Sequence, residues 1–378
     1  MPGEKTLARR GVPFLDLTSA HEPIRERFLQ EVEALLDSGA FINGAQVAEF
    51  EHAFAAYCGT TTCVGMASGL DALRLALIAL EIEPGDEVIV PANTFVATFE
   101  AVSQAGAVPV PVDISERDYN LDADAVAAAV SSRTRFLMPV HLYGQMADMR
   151  AVNALARRHG LTVVEDACQA HGAERDGLRA GAASSVAAFS FYPGKNLGAL
   201  GDAGAAVTDD EVVAQRMRAL REHGQVRKYE HDTEGYTARL DTIQAIGLLL
   251  KLPLLSAWNE ERRRVAAFYE EALTGVGDLV LPPVAPGSEP VWHLYVIRTA
   301  DPARLATFLA EGGIGTGRHY PQPAHLSRAY EHLGYDLGTF PRAERLSREV
   351  LSLPIFPGMS DEQQESVADG VRAYFDRG

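Results

Sequence analysis

Short apolar bursts alternate with segments of helical periodicity through the first two thirds of this chain, and that alternation restricts the fold more than any other feature. Residues 46–57 and LDALRLALIAL at 70–80 carry apolar side chains at helical spacing, as do a stretch near 148–158 and an alanine-rich one near 123–130. Between them stand VIV at 88–90, VPVPV at 108–112, FLMPV at 136–140, TVVE at 162–165, AAFSF at 187–191 and AGAAVT at 203–208. Strands this apolar are covered on both faces, and helices of this length suit crossovers. The pattern therefore predicts an α/β fold with a mostly parallel sheet flanked by helices.

Two long helical patterns follow, 241–252 and 256–273, before LPPVAPGSEP at 281–290 interrupts the periodicity. We place the division at residue 253, with 1–253 a large α/β domain and 254–378 a smaller α+β C-terminal domain. The latter holds strand-like WHLYVIR at 292–298 and a helix near 302–311. The N-terminal segment is expected to pack against the smaller domain.

The formal charge is −17, so the overall field repels polyanions and argues against nucleic-acid binding. An anionic small ligand would need a local cluster of donors. Three cysteines, Cys58, Cys63 and Cys168, do not make a disulfide framework and fit a reducing cytoplasm. Neither an export signal in MPGEKTLARRGVPFLDL nor a run of about 18 apolar residues is present, so no membrane insertion is expected.

Three elements carry chemistry. SFYPGKNLGALGDAG at 190–204 sets Lys195 in a loop after a buried strand, among glycines that let backbone approach a bulky ligand. EDACQAHGA at 165–173 presents Asp166 at the carboxyl end of a strand, the edge where ligands of open α/β sheets collect. ASGLDALRLAL at 67–77 leads small residues, Ser68 and Gly69, into a helix whose free N–H groups suit a phosphate. A lysine for an imine, an acid for a pyridine nitrogen and a helix start for a phosphate together meet the requirements of pyridoxal 5'-phosphate (PLP). A P-loop is excluded, because Asn196 follows Lys195 and Phe189 stands at the first glycine position; G-x-G-x-x-G is absent from the first half. His171, near Cys168, has no second ligand at metal spacing, so no metal is expected.

With these residues in view the chain resembles the DegT/StrS-type nucleotide-sugar aminotransferases, PLP enzymes of fold type I in the aspartate-aminotransferase superfamily. The resemblance runs nearly end to end and includes PFLDL at 13–17, PANTFVAT at 91–98, PVHLYGQMADM at 139–149, RLDTIQA at 239–245, RHYPQPAHL at 318–326 and LSLPIFPGM at 351–359. It implies a homodimer with active sites at the subunit interface. It also implies that Lys195 holds PLP as a Schiff base and then moves the proton. Asp166 would hold the pyridine nitrogen, Gln169 the ring oxygen and Phe95 the ring face. Ser68, Ser190 and the backbone of Gly69 and Leu70 would hold the phosphate. Thr237 stands where many relatives carry an asparagine reaching the partner's phosphate, and Leu70 replaces a frequent threonine. Tyr192, Lys228, His319 and Tyr320 match positions that face the sugar nucleotide.

The resemblance further implies amino transfer from L-glutamate to a nucleotide-linked keto sugar. Relatives with this form of the lysine loop tend to aminate C3 of a dTDP-3-keto-6-deoxyhexose, in antibiotic or surface-sugar synthesis; the 4-keto isomer is the alternative. A sugar dehydratase on this scaffold would carry histidine in place of Lys195, and a non-catalytic regulator would be expected to lose Asp166 or Lys195.

Overall fold

The computed structural model describes residues 11–376. The first ten residues, part of the stretch read above for an export signal, lie outside the described residues. Seven strands build the central sheet. They are β1 (Thr62–Met66), β2 (Glu87–Pro91), β3 (Val108–Val112), β4 (Thr134–Leu137), β5 (Thr162–Asp166) and, after the short β6 (Glu174–Arg175) and β7 (Leu178–Arg179), β8 (Val186–Ser190) and β9 (Gly204–Thr208). Their order is β1-β9-β8-β5-β4-β2-β3. Neighbours pair in parallel except for β9, which runs antiparallel to both β1 and β8.

Helices α1 (Arg25–Ser38), α2 (Ala45–Cys58), α3 (Gly69–Ala79), α4 (Ala97–Gln104), α5 (Ala123–Ala129), α6 (Met149–His159), α7 (Glu211–Arg221) and α8 (Thr242–Lys251) accompany the sheet. Successive strand residues point to opposite faces, so Val163 and Ala187 join an apolar layer with Phe50 and Phe54 of α2. Val164 and Ala188 join another with Leu73 of α3, Phe99 of α4 and Met217 of α7. Both faces are thus dry, which is the burial that the near-continuous apolar strands require.

The same alternation separates two adjacent carboxylates. Glu165 points into the α2 layer, where it is fully buried and accepts from His141 Nε2 (2.7 Å), Ser184 Oγ (2.7 Å) and the backbone N–H groups of Gly181 and Ala183 (both 3.1 Å). Burial alone would raise its pKa, but these donors, His141 foremost, hold it below the ordinary glutamate value. A carboxylate depressed in this way contributes stability that is complete above its unfolded value and is lost as pH falls through the folded one. Glu165→Gln, which presents an NH₂ where two of four donors need an acceptor, should cost about 2–4 kcal/mol near neutral pH. Urea unfolding of both proteins from neutral to acid pH checks this, and the difference should shrink on acidification.

The rest of the chain forms the hairpin β10 (Gln225–Arg227) and β11 (Glu230–His231), the long helix α9 (Leu255–Leu273), β12 (Ser288–Glu289) paired with β6, and the antiparallel pair β13 (Tyr295–Arg298) and β14 (Val350–Leu353). Helices α10 (Pro302–Glu311), α11 (Pro341–Glu349) and α12 (Asp361–Asp376) complete it. A third apolar cluster joins Tyr269, Tyr295, Ile297, Leu309 and Val371 with Val12, which forms a parallel bridge to Ile314.

Two expected strands are shorter in the structure. FLMPV ends as β4 at Leu137, because Pro139 has no N–H to continue the ladder; only a bridge from Val140 to Asp166 follows. WHLYVIR becomes strand only at Tyr295: Trp292 has φ 45°, and Val291 N–H turns instead to the Gly144 carbonyl (2.9 Å). Among the described residues no helix is long and apolar enough to cross a membrane, and all three cysteines are free.

Candidate active site

Strands that run the same way end at the same edge, so β1, β2, β5 and β8 deliver their following residues to one rim of the sheet. There Ser68, Gly69, Leu70, Phe95, Asp166, Gln169, Ser190, Tyr192 and Lys195 line one cavity of about 600 Å³, with His319 and Tyr320 closing it from the C-terminal part. Eleven of the thirteen residues expected from the sequence therefore share one space. Thr237 and Lys228 do not line it; both are exposed, Thr237 Oγ1 lying 3.3 Å from His223 Nε2 and Lys228 Nζ over the ring of Tyr229.

Asp166 ends β5, its side chain on the α3–α4 face opposite Glu165. Its Oδ2 accepts from Thr98 Oγ1 (2.7 Å) and its Oδ1 from the backbone N–H of Cys168 (3.2 Å), which fixes the carboxylate at the cavity wall. Thr98 is in turn 2.7 Å from Thr94 Oγ1. Sequence reasoning did not single out Thr98. The available signal was its place in PANTFVAT, four residues after Thr94 at the start of a helix.

Lys195 follows β8 in a loop closed at both ends. Its N–H donates to the Tyr192 carbonyl (2.8 Å), and Ala199 N–H returns to Phe191 (2.7 Å). Burial lowers the pKa of the amine, while Cys168 and Asp166 act in the opposite direction. Asn196 Nδ2 donates to Asn259 Oδ1 and to the Val291 carbonyl, both at 2.8 Å. That leaves Asn196 Oδ1 as acceptor for His293 Nδ1 at 3.3 Å, so the His293 proton sits on Nδ1. His293 also lines the cavity and was missed, since one histidine in a strand-like run carries no signal. Burial, then the charge of Lys195, hold its pKa well below the ordinary value, and push that of His319 down to about 4.

The opposite wall is a helix start. Ser68 caps α3, accepting Asp71 N–H at 3.0 Å, and the first intrahelical bond runs from Ala72 N–H to the Ser68 carbonyl. The amides of Gly69 and Leu70 precede that bond and are left for a ligand. A Cβ on Gly69 would lie 2.7 Å from Ser190 Cβ and from Cys168 Sγ, so only glycine lets the helix start meet the end of β8. Gln169 is held at both ends: its Oε1 accepts Tyr143 N–H (2.7 Å) and its Nε2 donates to Tyr320 OH (3.0 Å). Tyr320 and the half-exposed ring of Phe95 lie 5.5 Å apart.

These donors and acceptors fit PLP. An anionic acceptor, a primary amine and a pair of helix-start amides with two serines face one cavity; they match in kind a protonated ring nitrogen, an aldehyde carbon and a phosphate. Among the described residues no group of three or more histidine, cysteine or carboxylate side chains is gathered to hold a metal ion.

Comparison with known proteins gives the same picture. The sequence profile of the DegT/DnrJ/EryC1/StrS aminotransferase family matches residues 22–372. A dTDP-3-amino-3,4,6-trideoxy-alpha-D-glucose transaminase of Streptomyces venezuelae is 50% identical over 366 residues, 97% of either chain. The solved structure of S. venezuelae DesV in complex with a ketimine intermediate superposes with a TM-score of 0.95 at 50% identity, covering 97% of this chain and 99% of that one. The structure of ntda from Bacillus subtilis with bound cofactor pmp does so with a TM-score of 0.91 at 32% identity, covering 99% and 87%.

Proposed function

Because the chain belongs to the DegT/DnrJ/EryC1/StrS aminotransferase family, whose members are PLP-dependent sugar aminotransferases, we propose that it moves an amino group from L-glutamate to C3 of a dTDP-linked 3-keto-6-deoxyhexose. The observation that carries this reading is the single cavity shared by Lys195, Asp166 and the start of α3. The position of amination is supported by the identity to the S. venezuelae 3-amino-sugar transaminase over nearly the whole chain.

When bound, the cofactor supplies a carbonyl that carries the amino group between substrates and a ring that takes up electrons from the reacting carbon. Lys195 Nζ would hold it covalently and would move the proton to and from that carbon. The lowered pKa of the amine favours this role, since a neutral amine is needed to accept a proton. Asp166, fixed by Thr98 and Cys168, would face the ring nitrogen and favour its protonated form. Gln169 would hold the ring oxygen and Phe95 would cover a face of the ring. Ser68, Ser190, Gly69 and Leu70 take the phosphate. Tyr192, His319 and Tyr320 face the sugar.

Thr237 and Lys228 act in a neighbouring subunit's site. Their exposure on and beside a projecting hairpin supports a homodimer, as do the exposed apolar residues Leu29, Leu36, Phe41, Ile42 and Leu200. The Phe41 carbonyl accepts Thr242 N–H and Leu200 N–H donates to Gln244 Oε1, which sets both residues beside the start of α8. Lys228 then supplies a cation for the nucleotide diphosphate despite the overall −17.

A paired assay tests the substrate. PLP-loaded protein with L-glutamate should aminate the 3-keto dTDP-6-deoxyhexose and leave the 4-keto isomer unchanged. Product from the 4-keto compound alone would overturn the position while keeping the reaction.

A further inference from the structure

Lys251 ends α8 as a buried cation without a counter-charge. It is 2% exposed, and among the described residues no carboxylate lies within ion-pairing distance of it. Its Nζ instead donates to the Gly198 carbonyl (2.7 Å) and to His21 Nε2 (3.0 Å). Burying an ammonium against two neutral acceptors is unfavourable, as its pKa, pushed down to about 8, reflects. Both acceptors lie where position matters.

Gly198 is three residues beyond Lys195, in a loop folded so tightly that a Cβ there would sit 2.3 Å from the Pro193 carbonyl oxygen. His21 belongs to the N-terminal segment that runs beside this loop. Leu15, Asp16 and Leu17 face Gly194, Lys195 and Lys251 across one small cavity. His21 Nδ1 donates to the Leu17 carbonyl, so its Nε2 offers a lone pair and the acceptor role toward Lys251 is fixed. Among the described residues the ammonium thus bonds to both the lysine loop and the N-terminal segment.

We propose that Lys251 is a positioning residue for amino transfer: its ammonium ties the Gly198 carbonyl to His21 and thereby sets where Lys195 stands in the cavity. This rests on Lys195 being the lysine that carries the cofactor. No contact between Lys251 and substrate is involved.

Hydrogen exchange on the PLP-loaded full chain, with steady-state kinetics, tests it. In Lys251→Met the amides of Lys195 and Ala199, and those of Thr18 and His21, should exchange about tenfold faster, as expected for losing a charge-assisted hydrogen bond. The value of kcat should fall about tenfold or more with KM for the sugar unchanged. His21→Ala, a change near the surface with little risk to folding, cuts one end of the same tie and should speed exchange at Thr18 and residue 21 and, to a smaller extent, at Lys195 and Ala199. The proposal is overturned if Lys251→Met leaves the Lys195 and Ala199 amides as protected as before, if exchange rises evenly along the chain, or if kcat is unchanged while the loop loosens. Borohydride reduction of the wild-type protein and peptide mapping separates the underlying reading: cofactor fixed elsewhere than Lys195 would sink that reading whatever the exchange data show.

Discussion

Lys195→Ala protein will fold, bind its substrates and form amino sugar at least about 10³-fold more slowly than wild type, because one side chain supplies both the covalent anchor and the proton carrier. The cavity holds no second lysine to replace it. A structural collapse would give the same loss, so stability is the necessary control, and its sign can be derived. Burial lowers the pKa of Lys195 relative to the unfolded chain. A lysine shifted downward opposes folding at pH values below its folded pKa, and this penalty fades as pH rises toward the unfolded value. Removing the amine therefore leaves the cofactor-free protein no less stable at neutral pH. Thermal melts of the two cofactor-free proteins, alongside the paired assay, distinguish the cases: a variant that melts at or above wild type yet turns over slowly has lost chemistry. Turnover near the wild-type rate would remove Lys195 from the mechanism.

Asp166→Asn should lower turnover about 10³-fold with little change in structure. The amide oxygen still accepts one of the two hydrogen bonds from Thr98 Oγ1 and Cys168 N–H, but no anion remains to keep a ring nitrogen protonated. The change is thus close to a removal of charge alone. Asp166→Ala goes further and leaves the buried Cys168 N–H without its acceptor, while Thr98 Oγ1 keeps only Thr94 Oγ1, so it should lose stability as well as rate. Far-UV circular dichroism and urea unfolding, set beside single-turnover rates, should show Asn and Ala alike in rate and different in stability. Equal rates for Asn and wild type would show that the charge is not used.

Why some of this was readable from sequence and some was not follows from the length scale of each signal. Asp166 was legible because Val163 and Val164 in TVVE mark a buried strand, and a carboxylate at the end of one has few other places to go. Lys195 was legible through its glycines, and Ser68 with Gly69 through the cap-and-helix pattern. Thr98, Asn196, His293 and Lys251 act through partners tens to hundreds of residues away, as Asn196 does with Asn259 and Val291, and no local pattern announces such pairing. Lys251 reads as an ordinary polar end to an amphipathic helix. The antiparallel direction of β9 was equally hidden, since apolar runs do not state which way a strand runs. Thr237 and Lys228 were suggested by resemblance alone, and one subunit does not bring them to its own cavity.

The neighbouring pair Glu165 and Asp166 also bears on how the chain avoids a near miss during folding. A slip of β5 by one residue would turn each side chain to the other face. Glutamate would then stand in the cavity in place of the aspartate that Thr98 Oγ1 and Cys168 N–H hold, and aspartate, shorter by a methylene, would face the His141, Ser184, Gly181 and Ala183 donors that Glu165 now satisfies. The core network therefore works as a proofreader of strand register, and a chain in the wrong register forfeits stability and activity in the same event. A misregistered chain thus lies above the native one in energy and lacks the native site.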